Sequence, residues 1–177
     1  MSSDLLNSSF LKALSELDRE LYERNGTNIA DYLGISISQK PGFAYECTPE
    51  DSFVFANTGM GGDHFVFLTK NGSISNLDEA PILFVQPMVF DNPVKLVARN
   101  IKDFISIFLT LKELYILERF DWYESKEDMN TDIEKHYKPN IEARKGELDY
   151  IIDLIERRLG VVPINDVFNY ITEIRKD

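Results

Sequence analysis

The stretch that decides the fold class runs from residue 63 to residue 98 and reads DHFVFLTKNGSISNLDEAPILFVQPMVFDNPVKLVA. Three segments in it, 64–68, 82–85 and 94–98, are rich in aromatic and β-branched residues, which is typical of strands. Asn71-Gly72 is a strong turn signal, and prolines at positions 81, 87 and 93 mark the other connections. This stretch therefore predicts consecutive strands of one sheet.

The sequence on either side of this stretch favours helices. Apolar residues recur at helical spacing in 9–22, 100–117 and 141–159. A polar helix is predicted from Ser125 to Pro139, and Pro163 is expected to open a last helix. Segregated strands and helices predict an α+β fold: a central, mainly antiparallel β-sheet packed by helices, with an extra C-terminal helical segment. Residues 1–120 would form an α+β domain, and 121–177 a helical extension packed on the same domain.

The segment before the predicted strands has mixed signals. Phe43, Tyr45 and Cys47 alternate with other residues, which predicts a short strand. The run from Thr48 to Asp51 has a capping residue, a proline and two acids, which predicts a helix start. That short helix would turn Phe53 and Ala56 inward and end at the glycines 59, 61 and 62.

Composition limits the classes of function. The chain of 177 residues suits one domain with a proper core. It has one cysteine, no signal-peptide pattern and no apolar run of membrane-spanning length, which together predict a cytoplasmic protein. The net charge of −11 has the wrong sign for direct nucleic-acid binding. It either keeps the protein in solution or attracts a basic partner.

Few residues are candidates for catalysis. Metalloprotease, phosphate-loop and nucleophile-elbow motifs are absent. His64 beside Asp63 could form a catalytic or metal pair, but a strand histidine with local hydrogen bonds is the simpler interpretation. Cys47 could act as a nucleophile, but Glu46 and Glu50 beside it would raise the pKa of its thiol. We therefore predict no catalytic residue, no metal site and no cofactor.

Acidic and aromatic residues predict a protein interface instead. The acidic segment, residues 121–134, is dominated by carboxylates and has Trp122 and Tyr123 near its start. Aromatic anchors rimmed by charge suit an interface, although a solvated helix face with inward aromatics has the same pattern. A second acidic group lies at 46–51. The predicted partner-binding residues are Glu46, Glu50, Asp51, Asp121, Trp122, Glu124, Glu127 and Asp128.

The middle of the chain, about residues 43–110, resembles the SUKH superfamily. The resemblance rests on Thr48-Pro49-Glu50-Asp51-Ser52-Phe53, on Thr58-Gly59, on 62–68, on Pro81-Ile82 and Pro87, and on 97–100 followed by Asp103-Phe104. It implies an α+β fold with helices packed on a largely antiparallel sheet. The family has no shared catalytic residues to carry over. Many bacterial members are immunity proteins that bind and neutralise secreted polymorphic toxins, often nucleases.

The resemblance and the negative charge together predict a non-catalytic immunity protein whose partner is a basic toxin domain, with no direct contact to nucleic acid or membrane. Carboxylates would then compete with phosphates for the lysines and arginines of the toxin. Two alternatives stay open. One is a regulatory scaffold that binds host proteins, and the other is a small hydrolase that uses Asp63, His64 and Cys47.

Overall fold

A computed structural model describes residues 5–177 of the chain. The strands are β1 (Ser36–Ile37), β2 (Ser52–Asn57), β3 (His64–Leu68), β4 (Ile82–Val85) and β5 (Val94–Ala98). The α-helices are α1 (Ser9–Asn25), α2 (Ile29–Leu33), α3 (Ile101–Leu111), α4 (Lys126–Asp132), α5 (Lys138–Ala143), α6 (Lys145–Leu159) and α7 (Val167–Ile174). Shorter helical pieces are two 3₁₀ segments, Leu77–Glu79 and Leu114–Trp122, and a π-helical turn, Ile133–Tyr137. The prediction of an α+β fold is confirmed.

The five strands form one sheet in chain order, and every neighbouring pair is antiparallel. The strands predicted at 64–68, 82–85 and 94–98 are its β3, β4 and β5. In the central pair, Phe65 lies opposite Phe84 and Val66 opposite Leu83. Successive residues of a strand face opposite sides of the sheet, so each strand contributes to both faces.

One face of the sheet packs against helices and forms the main core. Phe104 of α3 packs against Phe55 and Phe65, with ring centroids 6.0 and 4.8 Å apart. Phe65 also stacks on Phe84 at 4.6 Å. All four rings are fully buried. Aromatic side chains of this size dominate the free energy of a core, so this face supplies most of the apolar burial.

The helices of the C-terminal segment join the same core. Buried residues of α6 and α7, including Leu148, Ile151 and Ile171, belong to the hydrophobic cluster that contains Phe104. Helix α7 also covers the outer edge of β5: Arg175 donates from Nε to the carbonyl of Leu96 at 2.8 Å. This hydrogen bond occupies a carbonyl group that an uncovered edge strand would leave free to pair with another chain.

The prediction of a helix that starts at Thr48 is wrong. Residues 46–51 form turns, and Ser52 begins strand β2. The Thr48 hydroxyl accepts a hydrogen bond from the backbone of Tyr45 at 2.8 Å, so it caps a turn that precedes it. The alternating run after Ser52 pairs with β3 and overrides the local cap signals. The strand predicted at 43–47 is also wrong, since those residues have no strand pairing.

Three predicted helix boundaries also differ. Helix α3 ends at Leu111 because Lys112 takes a left-handed conformation, and 3₁₀ geometry follows. Pro139 does not terminate a helix. It lies in the first turn of α5, where backbone N–H groups have no partner within the helix, so proline is tolerated there. The last helix starts at Val167 rather than Pro163, since the Asp166 carboxylate accepts from Asn169 N–H at 3.0 Å and provides its cap.

Within residues 5–177, no helix combines the length and the apolar character needed to cross a membrane.

Candidate partner-binding surface

The second face of the sheet carries a small apolar cluster, to which no helix within residues 5–177 contributes a side chain. Its buried residues are Val54, Val66, Leu83 and Val85. The loop between β1 and β2 crosses this face, and Cys47 packs against the cluster from that loop. Cys47 is only partly buried, so the interpretation of a buried thiol holds in part. The loop also positions two exposed aromatic residues, Phe43 and Tyr45.

Polar contacts with His64 hold the loop in place. His64 Nε2 lies 2.9 Å from Thr48 Oγ1, and His64 Nδ1 lies 2.7 Å from the carbonyl oxygen of Gly62. The carbonyl can only accept, so Nδ1–H donates to it and Nε2 accepts from the Thr48 hydroxyl. The ring of Tyr45 stacks on His64 at 5.5 Å. Burial lowers the pKa of His64, which favours this neutral state.

Gly62 is needed where the loop meets the β2–β3 turn. Its φ of 82° is in the left-handed region, and an added Cβ would come within 2.7 Å of the Tyr45 ring. Both constraints exclude a larger residue. The prediction that these glycines permit a tight reversal agrees with the turn between β2 and β3, although a strand precedes the turn and not a helix.

Loop residues at this end of the sheet form an exposed apolar patch, which we call the tip surface. It consists of Phe43, Tyr45, Met60, Met88 and Phe90, which are 76, 41, 62, 67 and 87 % exposed. Phe43 and Tyr45 meet edge to face at 4.9 Å. A Cβ placed on Gly61, next to Met60, would lie 3.7 Å from Met88 Cγ, so the two turns touch. Clustered exposed apolar side chains of this kind mark interaction sites.

Two pockets flank Tyr45, whose ring lines both. One has a volume of about 250 Å³ and is bounded by Phe43, Asn57 and His64, among others. The other has a volume of about 330 Å³ and lies between Tyr45, Glu46 and Phe90. The tip surface is therefore indented on both sides of a fixed aromatic ring.

Of the first group of predicted binding residues, Glu46 borders the tip surface, whereas Glu50 adjoins Asp51 near the turn after β3. Glu46 and Glu50 are exposed, and Glu46 lines the larger pocket. Asp51 has a different role, because its carboxylate accepts from the backbone N–H of Asn71 at 2.8 Å. That bond ties the start of β2 to the turn after β3, so Asp51 contributes to the fold more directly than to a free surface.

The second group lies elsewhere, at the C-terminal helices. Trp122 is 72 % exposed. It lines a wide, shallow groove of about 600 Å³ together with Glu124, Glu127 and Asp128. Of the two interpretations of the acidic segment, Trp122 fits the exposed anchor, whereas Tyr123 turns inward and donates to Asp132 at 2.6 Å.

Asp121 is the member of this group whose carboxylate is already occupied. Its oxygens meet Lys95 Nζ at 3.0 Å and the guanidinium of Arg175. Burial raises the pKa of Asp121, but the hydrogen bonds from Arg175 and Lys95 outweigh this and hold the pKa below its usual range. Lys95 also donates to Gln86 at 2.9 Å. Asp121, although exposed, therefore anchors a polar network with Lys95 and Arg175.

The residues of the hydrolase alternative make separate contacts. The carboxylate of Asp63 accepts from Gln86 Nε2 at 3.2 Å, and burial raises its pKa. His64 binds Thr48 and Gly62 instead of Asp63. A nucleophile, base and orienting group must share hydrogen bonds to act together, and these side chains do not form such a chain. The described residues also contain no group of three or more side chains placed to hold a metal ion.

The sequence patterns by themselves do not indicate the tip surface as a binding site. Phe43 and Tyr45 alternate as in a strand, and Met60, Met88 and Phe90 belong to no predicted site. A usable signal existed: Met60 stands between glycines, and Met88 and Phe90 lie between two prolines. Large apolar residues inside turn-forming segments are expected to be exposed, because turns lie at the surface.

Comparison with known proteins found no matching family model, no matching curated protein and no matching solved structure.

Proposed function

We propose that this chain is a non-catalytic protein-binding module of the immunity-protein type, which neutralises a basic toxin domain by covering it. The observation that carries the proposal is the tip surface with the exposed carboxylate of Glu46 beside it. Exposed aromatic and methionine side chains are enriched at the centres of interfaces, and charged residues at their rims. The geometry thus supports binding of a macromolecule better than chemistry on a small one.

The charge of the chain supports a basic partner. A net charge of −11 creates a negative field that accelerates association with a positive protein and disfavours an acidic one. A toxin that acts on nucleic acid needs a basic surface to bind phosphates. The SUKH resemblance of residues 43–110 points to the same class of partner.

The test starts with capture of the partner from the native cell by the full-length chain. We expect a basic domain that stops growth when expressed alone and loses this effect when the chain is co-expressed. We then expect the double variant Phe43→Ser, Phe90→Ser to lose protection and to bind the domain more weakly. A hot-spot residue contributes about 2 kcal/mol, so each substitution should weaken binding about 30-fold by calorimetry.

Two control variants make the result specific. Tyr150→Ser removes an aromatic residue of α6 that is 47 % exposed and should leave affinity unchanged. Trp122→Ala probes the groove at the acidic segment. If Trp122→Ala abolishes binding and the double variant does not, the interface lies at the acidic segment. A captured partner that is neither basic nor toxic would contradict the immunity function itself.

A further inference from the structure

The larger pocket at the tip surface has the composition of a site for a cationic side chain. Two aromatic rings, Tyr45 and Phe90, and one carboxylate, Glu46, line it together with Cys47 and apolar residues. No lysine or arginine lines it among the described residues. Its volume of about 330 Å³ is at the lower end for small-molecule sites, which suits one inserted side chain.

The carboxylate of Glu46 is available for a ligand. Within residues 5–177 it takes part in no hydrogen bond and no ion pair. Other carboxylates, such as those of Glu20 and Asp121, already bind arginine side chains of the same chain. Glu46 therefore lacks an internal cation and is the one charged residue among those that line this pocket.

The Tyr45 wall of the pocket is held in position before any ligand arrives, whereas the Phe90 side chain is 87 % exposed. Tyr45 is fixed by its stacking on His64 and by the turn that Thr48 closes. Phe90 belongs to the β4–β5 loop, whose base is closed by a hydrogen bond from Gln86 N–H to the Pro93 carbonyl at 2.7 Å. A preorganised site loses less conformational entropy on binding than a mobile one.

We propose that this pocket binds an arginine side chain of the partner. A guanidinium stacks on aromatic faces and bonds a carboxylate through two parallel N–H groups, which is the pair of contacts that Tyr45, Phe90 and Glu46 offer. An ammonium is a more strongly hydrated point charge and fits that combination less well. This inference rests on the proposed function, since it assigns one contact within that interface.

The test uses short peptides as probes, so that it does not depend on the partner. Acetyl-Gly-Arg-Gly-amide is titrated into the full-length protein, and binding is followed by amide chemical shifts in NMR. The controls are the same peptide with lysine and with citrulline, the neutral analogue of arginine. We expect saturable shifts at residues 45–47 and 87–93 with the arginine peptide, and weaker binding of both controls.

Substitutions locate the effect. Glu46→Gln and Phe90→Ala should each weaken binding of the arginine peptide about tenfold, because each removes one of the two kinds of contact. Glu23→Gln removes another exposed carboxylate, on α1, and should change nothing. Equal binding of the citrulline or lysine peptide, shifts at other residues, or no saturation would overturn the proposal.

The same variants separate this inference from the proposed function. If the captured partner binds and loses affinity in the Phe43→Ser, Phe90→Ser variant but is indifferent to Glu46→Gln, the protein-binding function stands and the arginine site is wrong. If the peptide binds as expected but no basic toxic partner exists, the site stands and the immunity function is wrong.

Discussion

The two faces of the sheet are covered by different kinds of structure. The helical face buries large aromatic rings, including Phe55, Phe65 and Phe104, beneath several helices. The other face buries a few aliphatic side chains beneath a loop that polar contacts of His64 and Thr48 hold in place. The free energy of folding therefore resides mainly on the first face. The second face can carry exposed apolar residues because little of the fold depends on them.

The largest expected effect separates the two cores directly. Phe104→Ala should lower the free energy of unfolding by about 3–5 kcal/mol, since it leaves a cavity among buried rings. Val66→Ala, equally buried on the other face, should cost about 2 kcal/mol, because it removes two methyl groups where Phe104→Ala removes a whole ring. Urea denaturation followed by circular dichroism measures both. Equal losses of unfolding free energy would show that the two faces contribute equally to stability and would contradict the difference described above.

A smaller effect is expected where the loop is fastened. Thr48→Val keeps the shape of the side chain but removes the bonds to His64 and to the Tyr45 amide. The loss should be about 1–3 kcal/mol, because the buried imidazole nitrogen is left without a donor. Thr131→Val, on the exposed side of α4, is the matched control and should cost under about 0.5 kcal/mol. A cost of Thr48→Val no larger than that of the control would show that the loop is held by other contacts.

The smallest effect expected is a pH dependence that belongs to the second face. Burial lowers the pKa of His64 in the folded protein below its ordinary value of 6.5. The unfolded chain therefore binds a proton more readily, and this contribution to stability is lost as pH falls from about 6.5 towards the lowered pKa. In the His64→Gln variant the glutamine does not titrate, so this loss of stability between pH 6.5 and the lowered pKa should be absent.

Denaturation midpoints between pH 7 and pH 5, measured for both proteins, check this prediction. The contributions of Asp63, Glu113 and Glu118 have the opposite sign. Burial raises the pKa of each, so their contribution falls as pH rises through the range above the ordinary carboxyl pKa. Glu113 and Glu118 are common to both proteins, but the charge of His64 lowers the pKa of the adjacent Asp63, so the difference between the two profiles reports His64 together with this coupling. Parallel profiles would contradict the role given to its burial.

Local sequence patterns predicted the parts of the molecule whose partners are near in the chain. The strands at 64–68, 82–85 and 94–98 follow from composition and turn signals. So do local caps such as Asn100, whose side chain accepts from the amide of Asp103, and the glycine at position 160 that ends α6. These signals involve residues within four positions of each other, so the sequence contains them completely.

The same patterns failed where a distant partner decides the outcome. Thr48 and Pro49 have helix-start chemistry, but Thr48 lies against His64, and the residues after it pair with β3. There, contacts with the sheet outweigh a propensity of a few tenths to about one kcal/mol.

The sequence by itself determined the α+β class, the positions of the later strands along the chain, most helices and the negative charge, because these follow from periodicity and composition. Only the tertiary structure decided which face of the sheet the helices cover, which carboxylates stay free and which loop residues gather at one end. Asp121 and Glu46 look alike in the sequence, yet one is bound by Lys95 and Arg175 and the other is open to solvent. The physical reason is that burial and pairing depend on distances between residues far apart in the chain.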